Sequence, residues 1–462
     1  MSTNNMPATP PVLQSARGTR RKLIAVLASR AGVLVLLFVF GAAVMFFELP
    51  PSDFLAKAFI GCRAWFERTS LSSPKTEKDL PPGDTGIDQP QKTSDGFTLC
   101  TFAAVHGASS QAYLIDMQFK LQHSWGVPFS KIWPNPRHVP TPVKDSYVAF
   151  FACHLYANGD LLVVLHGVQQ TAVGYGLVKL DKDSNILWSY PAGVHHDVDV
   201  AADGTIYAVQ HETVNTMPDG LQFIPTPCLI DSLIMLTPDG QLKGKPIPVL
   251  EAFRDSPYAA LLQSLEPSKK KDAESSPSTM QHFDDKTRKQ DALHTNTVQV
   301  LTPALAQKFP GWKAGQLLIT MRNLDAIAVV DPESRAVVWA ARGPWQAPHD
   351  AQFLDNGTLL LFDNQGLRKG SRILEYDPRT QAFPWSYSGE NWGPFFTSER
   401  GMCQRLPNGN TLAVNSKGGE ILEVTRAKEV VWSYAPYRFI AYARRFTADQ
   451  VPFLPASAKP RP

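Results

Sequence analysis

The sequence has few cysteines, and they are scattered. Cys62, Cys100, Cys153, Cys228 and Cys403 lie far apart, with no C-x-x-C pair among them. That spacing argues against a zinc ribbon and against a disulfide-dense scaffold, and leaves one or two unassigned disulfides open. Net charge is small as well, +3, and no basic stripe with interleaved aromatics is present, so nothing points to nucleic acid as a partner. Long apolar runs are confined to one place near the N-terminus. Long helices are not favoured either, because 38 Pro and 30 Gly break the chain into short elements joined by turns.

The one apolar run follows a polar tail. Residues 1–22 read as a disordered cytoplasmic tail that ends in Arg17, Arg20, Arg21 and Lys22. Residues 23–47 read as a transmembrane signal-anchor helix. The charge-free part, Ala31 to Phe47, is 17 residues long, at the short end for a span. Arg30 sits near the basic side, where it can snorkel to the headgroups. The basic flank predicts a cytoplasmic N-terminus, with everything after Glu48 on the far side. A cleaved signal peptide and a buried core helix are the weighed alternatives; no clean small-x-small cleavage site follows the run. Residues 48–95 read as a juxtamembrane amphipathic segment and a Pro/Ser/Gly/charged linker. The folded domain is expected over 96–449, with 450–462 as a tail.

That domain repeats one sentence. The stretch from Pro348 to Gly366 carries a histidine, alternating apolar residues, the turn Asp355-Asn356-Gly357 and an apolar run, which is a hairpin signal. Its turn recurs in YANGDLLVVL (156–165), AADGTIYAVQ (201–210) and LPNGNTLAVN (406–415). A second half, strand–turn–strand ending in Trp, recurs at 177–190, 327–341, 373–387 and 421–434. AYLIDMQFKLQHSW (112–125) and the Trp-less 232–249 supply two more. Six four-stranded units predict an all-β, six-bladed β-propeller, in which the Trp is bulk between blades. The segment 437–449 is expected to add a ring-closing strand. Residues 251–292 form an insertion: SPYAALLQSLE as a short helix covering one face of the disc, then a disordered charged stretch over 267–290.

Histidines mark the starts of the channel-lining strands. His196 and His349 each precede an aspartate and are each followed eight residues later by a glycine, and His294 is expected at the equivalent place between them. The units on either side carry Phe151 and Gly401 there. Such positions converge at one mouth of a propeller channel, so three imidazoles there read as a metal site or as an acid–base and nucleophile cluster. His195 is the weaker of its pair; His154, His166, His211 and His282 lack the spacing and read as structural or solvated, although His211, in QHE, sits at the far end of a channel-lining strand. Arg322 ends the strand 316–322 and, aimed at the channel, would offer a planar fork of donors to a tetrahedral oxyanion.

These motifs carry a resemblance. The stretch H-x-N (His294–Asn296), the strand-terminal Arg322 with its following strand to Asp331, HDAQFLDNGTLLLFDN, QRLPNGNTL and HHDVDVAADGT together resemble the bacterial arylsulfotransferases (arylsulfate sulfotransferases) over most of residues 96–437. Family members are six-bladed propellers. The resemblance implies sulfuryl transfer from a phenolic sulfate ester to a phenol, without a phosphoadenosine donor, cofactor or metal. It implies His349 as the transiently sulfated histidine. His196, His294 and Arg322 would hold the sulfuryl oxygens, and Asn296 would touch the phenol side. The N-terminal anchor departs from the family's simple exported form, and with its basic flank predicts a single-pass protein of the bacterial inner membrane with its catalytic domain in the periplasm. Asn323 stands where family members commonly carry a histidine. Two other functions compete: an inactive propeller acting as a cell-envelope binding module, and a metal-dependent hydrolase or lactonase. The metal reading is disfavoured because Asp197 and Asp350 alternate away from their neighbouring histidines on a strand.

Overall fold

The computed structural model describes residues 80–103, 111–139, 143–167, 174–265, 291–367 and 370–455. Runs such as Leu161–Leu165 and Leu317–Ile319 are buried at every position, not at every second one. Such strands must be covered on both faces, and the fold does this by standing sheet against sheet. Six antiparallel sheets result, the blades of a propeller. From the channel outward, the second blade holds Val148–Leu155, Leu161–Gly167, Gly174–Leu180 and Ile186–Tyr190. The innermost strands of the third to sixth blades are Val194–Val200, Thr295–Val300, His349–Phe353 and Met402–Arg405.

Both ends of the domain close the ring. The first blade owns Phe97–Phe102, Gln111–Ile115 and Leu121–Gly126, and the C-terminal strand Ile440–Phe446 supplies its innermost position. The stretch read as linker contributes as well, since Asp84–Gly86 pairs with Val430–Ala435 as a fifth, outermost strand of the sixth blade. A buried ion pair spans this seam. Arg445 of the C-terminal strand meets Glu423 of the sixth blade at 3.1 Å, with both side chains at most 1 % exposed.

Three of the repeated tryptophans donate onward between blades. Trp188 Nε1 bonds the Pro238 carbonyl at 3.1 Å, Trp385 the Arg426 carbonyl at 3.0 Å, and Trp432 the Met117 carbonyl at 3.0 Å, in each case in the following blade. The Trp-less third blade ends in a two-residue outer strand, Ile247–Pro248. The helix Val249–Arg254 follows, burying Leu250 and Phe253 in the apolar cluster shared by the third and fourth blades. The insertion therefore begins by packing into the seam between these two blades. A 3-10 helix occupies Ala259–Leu265, and residues 267–290 lie outside the described residues.

The anchor helix expected over 23–47 also lies outside the described residues, among which no helix is long and apolar enough to cross a membrane. Cys100, Cys153, Cys228 and Cys403 are unpaired and buried.

The seam between the last and first blades makes a prediction. Trp432→Ala is expected to lower the unfolding free energy by about 3–5 kcal/mol through the cavity it leaves. Trp432→Phe, which mainly removes the bond to Met117, should cost about 1 kcal/mol. Urea unfolding of the two variants beside the parent checks both values.

Candidate active site

The innermost strands of the second to fifth blades are irregular. The ladder to the second strand slips opposite Phe151, opposite His196 and Asp197, opposite Asn296, and opposite Asp350 and Ala351. Bulges of this kind re-aim side chains. At the same mouth four non-glycine residues hold left-handed backbone: His196 at φ 60°, His294 at 53°, Asp350 at 50° and Arg400 at 59°. Such conformations cost roughly 1–3 kcal/mol each and gather where a site needs a particular side chain.

Arg400 sits at the hub of this mouth. Its Nε donates to the Ala441 carbonyl at 2.8 Å, Nη1 to the His196 carbonyl at 3.0 Å, and Nη2 to the Phe151 carbonyl at 2.7 Å. One guanidinium thus ties the starts of three other blades, while its plane lies 4.2 Å over the Phe151 ring. Repeat spacing drew attention to Gly401 at this place, whereas the functional group belongs to the residue before it.

The three histidines named from spacing reach this mouth by different routes. His349 opens its strand, His196 lies inside Val194–Val200, and His294 precedes Thr295–Val300. The expectation of one shared register position therefore fails, because the bulges differ in size. The His196 and His294 rings nevertheless meet edge to face, 4.7 Å between centroids. His349 is 3 % exposed. Its Nδ1 lies 3.0 Å from the Ala347 carbonyl, which only accepts, so Nδ1 carries the proton and Nε2 keeps its lone pair. Burial pushes the His349 pKa well below the ordinary range, the Ala347 bond opposes that, and the charges of Arg322, Arg400 and His294 push it further down.

Two histidines set aside for lack of spacing belong to the same cluster. The His166 ring is 5.3 Å from that of His196 and stacks on Phe151 at 3.8 Å. His211 stacks on His195 at 4.6 Å, and His195 Nδ1 lies 2.6 Å from His196 Nδ1. His166 and His211 come from second strands, so a search of first-strand spacing passes over them. Their signal was position: like Arg322, they sit towards the far end of a second strand, where it returns to the site mouth. His154 stays outside the cluster, against Tyr156, and His282 lies outside the described residues.

Arg322 follows the strand Leu317–Met321 and its N–H donates to the His294 carbonyl at 3.1 Å. Asn323 donates from Nδ2 to the Asp291 carbonyl at 2.8 Å. Asp291 in turn holds His294, with Oδ2 2.5 Å from Nδ1. Asn296 is buried and donates from Nδ2 to the Pro348 carbonyl at 3.2 Å, and among the described residues its Oδ1 has no partner. It fixes the residue next to His349.

The aspartates face the neighbouring blade. Asp197 Oδ2 accepts from Val298 N at 3.2 Å and Asp350 Oδ2 from Cys403 N at 2.6 Å. Asp350 also pairs with Arg444. Burial pushes Asp197 up to about 7, with Arg400 opposing. Among the described residues no three His, Cys, Asp or Glu side chains are grouped to hold one metal ion.

The arylsulfotransferase (ASST) family profile matches residues 153–438, more than half of the chain. The chain belongs to the arylsulfotransferase family. No curated protein matches it. Among solved structures, a protein of unknown function from Bacteroides caccae is similar at TM-score 0.47 and 10 % identity, covering 76 % of this chain and 99 % of that one. A streptogramin B lyase is similar at TM-score 0.39 and 12 % identity, covering 81 % and 96 %. Virginiamycin B lyase from Staphylococcus aureus is similar at TM-score 0.32 and 12 % identity, covering 61 % and 68 %.

In this family member the mouth therefore combines an unprotonated imidazole nitrogen with a hub guanidinium, both buried. Neutral imidazole is a competent nucleophile, and fixed cations serve an anionic group best where water is excluded. Removing the hub makes a prediction. Arg400→Met leaves three buried carbonyls without donors and two nearby carboxylates undercompensated. A loss of about 3–5 kcal/mol is expected, as for breaking a buried charge pair. Arg400→Lys should recover part of that loss, and denaturant unfolding measures both.

Proposed function

We propose that this arylsulfotransferase moves a sulfuryl group from a phenolic sulfate ester to a phenolic acceptor through a sulfohistidine at His349. The observation that carries the proposal is the His349–Ala347 hydrogen bond, which commits Nδ1 and leaves Nε2 as the attacking atom. In the first half, Nε2 attacks sulfur, the S–O bond to the phenol breaks and the leaving oxygen takes a proton from a neighbouring imidazole. In the second half, the acceptor phenol loses its proton and its oxygen attacks sulfur. The N–S bond then breaks, returning its electron pair to Nε2. Splitting one displacement into two in this way lowers each barrier.

His294 and Arg322 would hold the sulfuryl oxygens, and the buried Arg400 adds a fixed positive field. The orphaned Oδ1 of Asn296 suits a phenolic O–H. The reaction needs no phosphoadenosine donor, no metal and no cofactor in this scheme. We further propose that the 23–47 segment tethers the domain on the outer side of a membrane, where phenolic sulfates from the surroundings reach it.

Incubating the full chain with 4-nitrophenyl sulfate and trapping it for mass spectrometry tests the scheme. One sulfuryl group should appear on His349 and disappear, with phenol release, in His349→Ala. No label and no release across a panel of aryl sulfates would favour a binding module instead. The pH dependence follows from the depressed His349 pKa. A group whose pKa lies well below that of a free imidazole (about 6.5) stays neutral as pH falls through that value. The acid limb of kcat/KM assigned to His349 should therefore lie well under that pH, where an exposed histidine would already be mostly protonated and inert.

A further inference from the structure

We infer that Asp231 and His195 are positioning residues that make His196 the proton carrier of the site, working as a buried relay. The inference rests on the sulfuryl-transfer reading and assigns, within it, the group that serves the phenolic oxygen.

The relay is set by three contacts. Asp231 lies on the third strand of the third blade, where Thr295 N holds its Oδ2 at 2.7 Å. Its Oδ1 is 3.2 Å from His195 Nε2, an ion-pair contact that is off line for an aligned hydrogen bond. His195 Nδ1 is 2.6 Å from His196 Nδ1. Asp231 and His195 are each 2 % exposed, so water does not compete for these groups. A proton on His195 Nε2 faces the carboxylate. A neutral His195 then has only a lone pair at Nδ1, and the 2.6 Å contact requires His196 Nδ1 to carry the shared proton. His196 Nε2 is left unprotonated, the state a base needs.

The proton count closes. When the acceptor phenol gives its proton to His196 Nε2, the Nδ1 proton of His196 passes to His195 Nδ1. His196 ends neutral in its other tautomer, and the charge rests on His195 beside Asp231. The donor half starts from this charged state and runs the shifts backwards: His195 returns its Nδ1 proton to His196 Nδ1, Nε2 releases its proton to the departing phenolate, and both imidazoles are left neutral for the acceptor half. His196 cannot hold the charge itself, because burial, and then His294, His195, His166 and Arg400, push its pKa well below the ordinary range. Asp231 stays ionised despite its burial, through His195 and the Thr295 amide. The groups facing the pair from the packed elements are His166, His211, His294, Arg400 and Asp231, with Phe151 as the apolar wall. Asp231 is the anion in direct contact with His195, so it decides where a cation settles.

His195→Asn tests this, since its amide offers an acceptor near the Nδ1 position but cannot take a proton. Asp231→Asn tests the same chain from its other end. Each is assayed as full-length protein on aryl sulfates whose phenols span a range of acidity, with melting temperature as the check on folding. A leaving phenolate needs a proton more as its phenol becomes less acidic. With phenyl sulfate the loss in kcat/KM should be roughly 100-fold, a typical share for general acid catalysis, and with 4-nitrophenyl sulfate roughly tenfold or less. The dependence on phenol acidity should therefore steepen in both variants. Equal losses on every donor, in variants that still take the His349 label from 4-nitrophenyl sulfate, overturn the relay alone. A parent protein that takes no label overturns the sulfuryl-transfer reading, and the relay with it.

Discussion

The inner edge of each channel strand is the constraint on which this structure depends. One side of such a strand bonds its own blade; the other presents N–H and C=O groups to a narrow space, where an unsatisfied group is costly. Side chains from the preceding blade meet that need. Asp231 and Asp197 take the amides of Thr295 and Val298, Asp199 that of Val300, Gln299 that of Phe353, and Gln404 that of Arg445. Thr297 Oγ1 and Asp350 do the same for Asp350 N and Cys403 N. Arg400 serves the carbonyls. The ring is therefore stapled at its axis by polar groups, and outside by Trp and aliphatic packing.

The same staples hold the chemistry in place. The aspartates that follow His196 and His349 look like part of a ligand set, yet each turns away to the next blade and so anchors its histidine's strand. Left-handed backbone at His196, His294, Asp350 and Arg400 then turns chain direction at the mouth. Strain of that kind persists only where the surroundings over-determine it. Here the surroundings are the staples, so rigidity at the axis and reactivity at the mouth have one origin.

Much of this was legible in the chain. Recurrent Asn-Gly and Asp-Gly turns, the tryptophan period and the C-terminal strand announced a six-bladed ring, because turn chemistry and burial patterns are local and repeat. Asp84–Gly86 was not legible, since three residues within a Pro/Ser-rich stretch carry no pattern. His196, His294 and His349 were found through spacing, although their registers differ. His166 and Arg400 were missed, as they lie on a second strand or beside the position that the repeat picks out, and His211 was marked only by its place at the far end of its strand.

By itself, then, the sequence determined the blade count and the strands that line the channel, since each depends on residues close together in the chain. Which imidazoles touch, which nitrogen of His349 stays free, and which arginine joins three blades were decided only by the tertiary structure. Those contacts link residues as distant as Phe151 and Arg400, and their geometry depends on bulges whose size no local pattern sets.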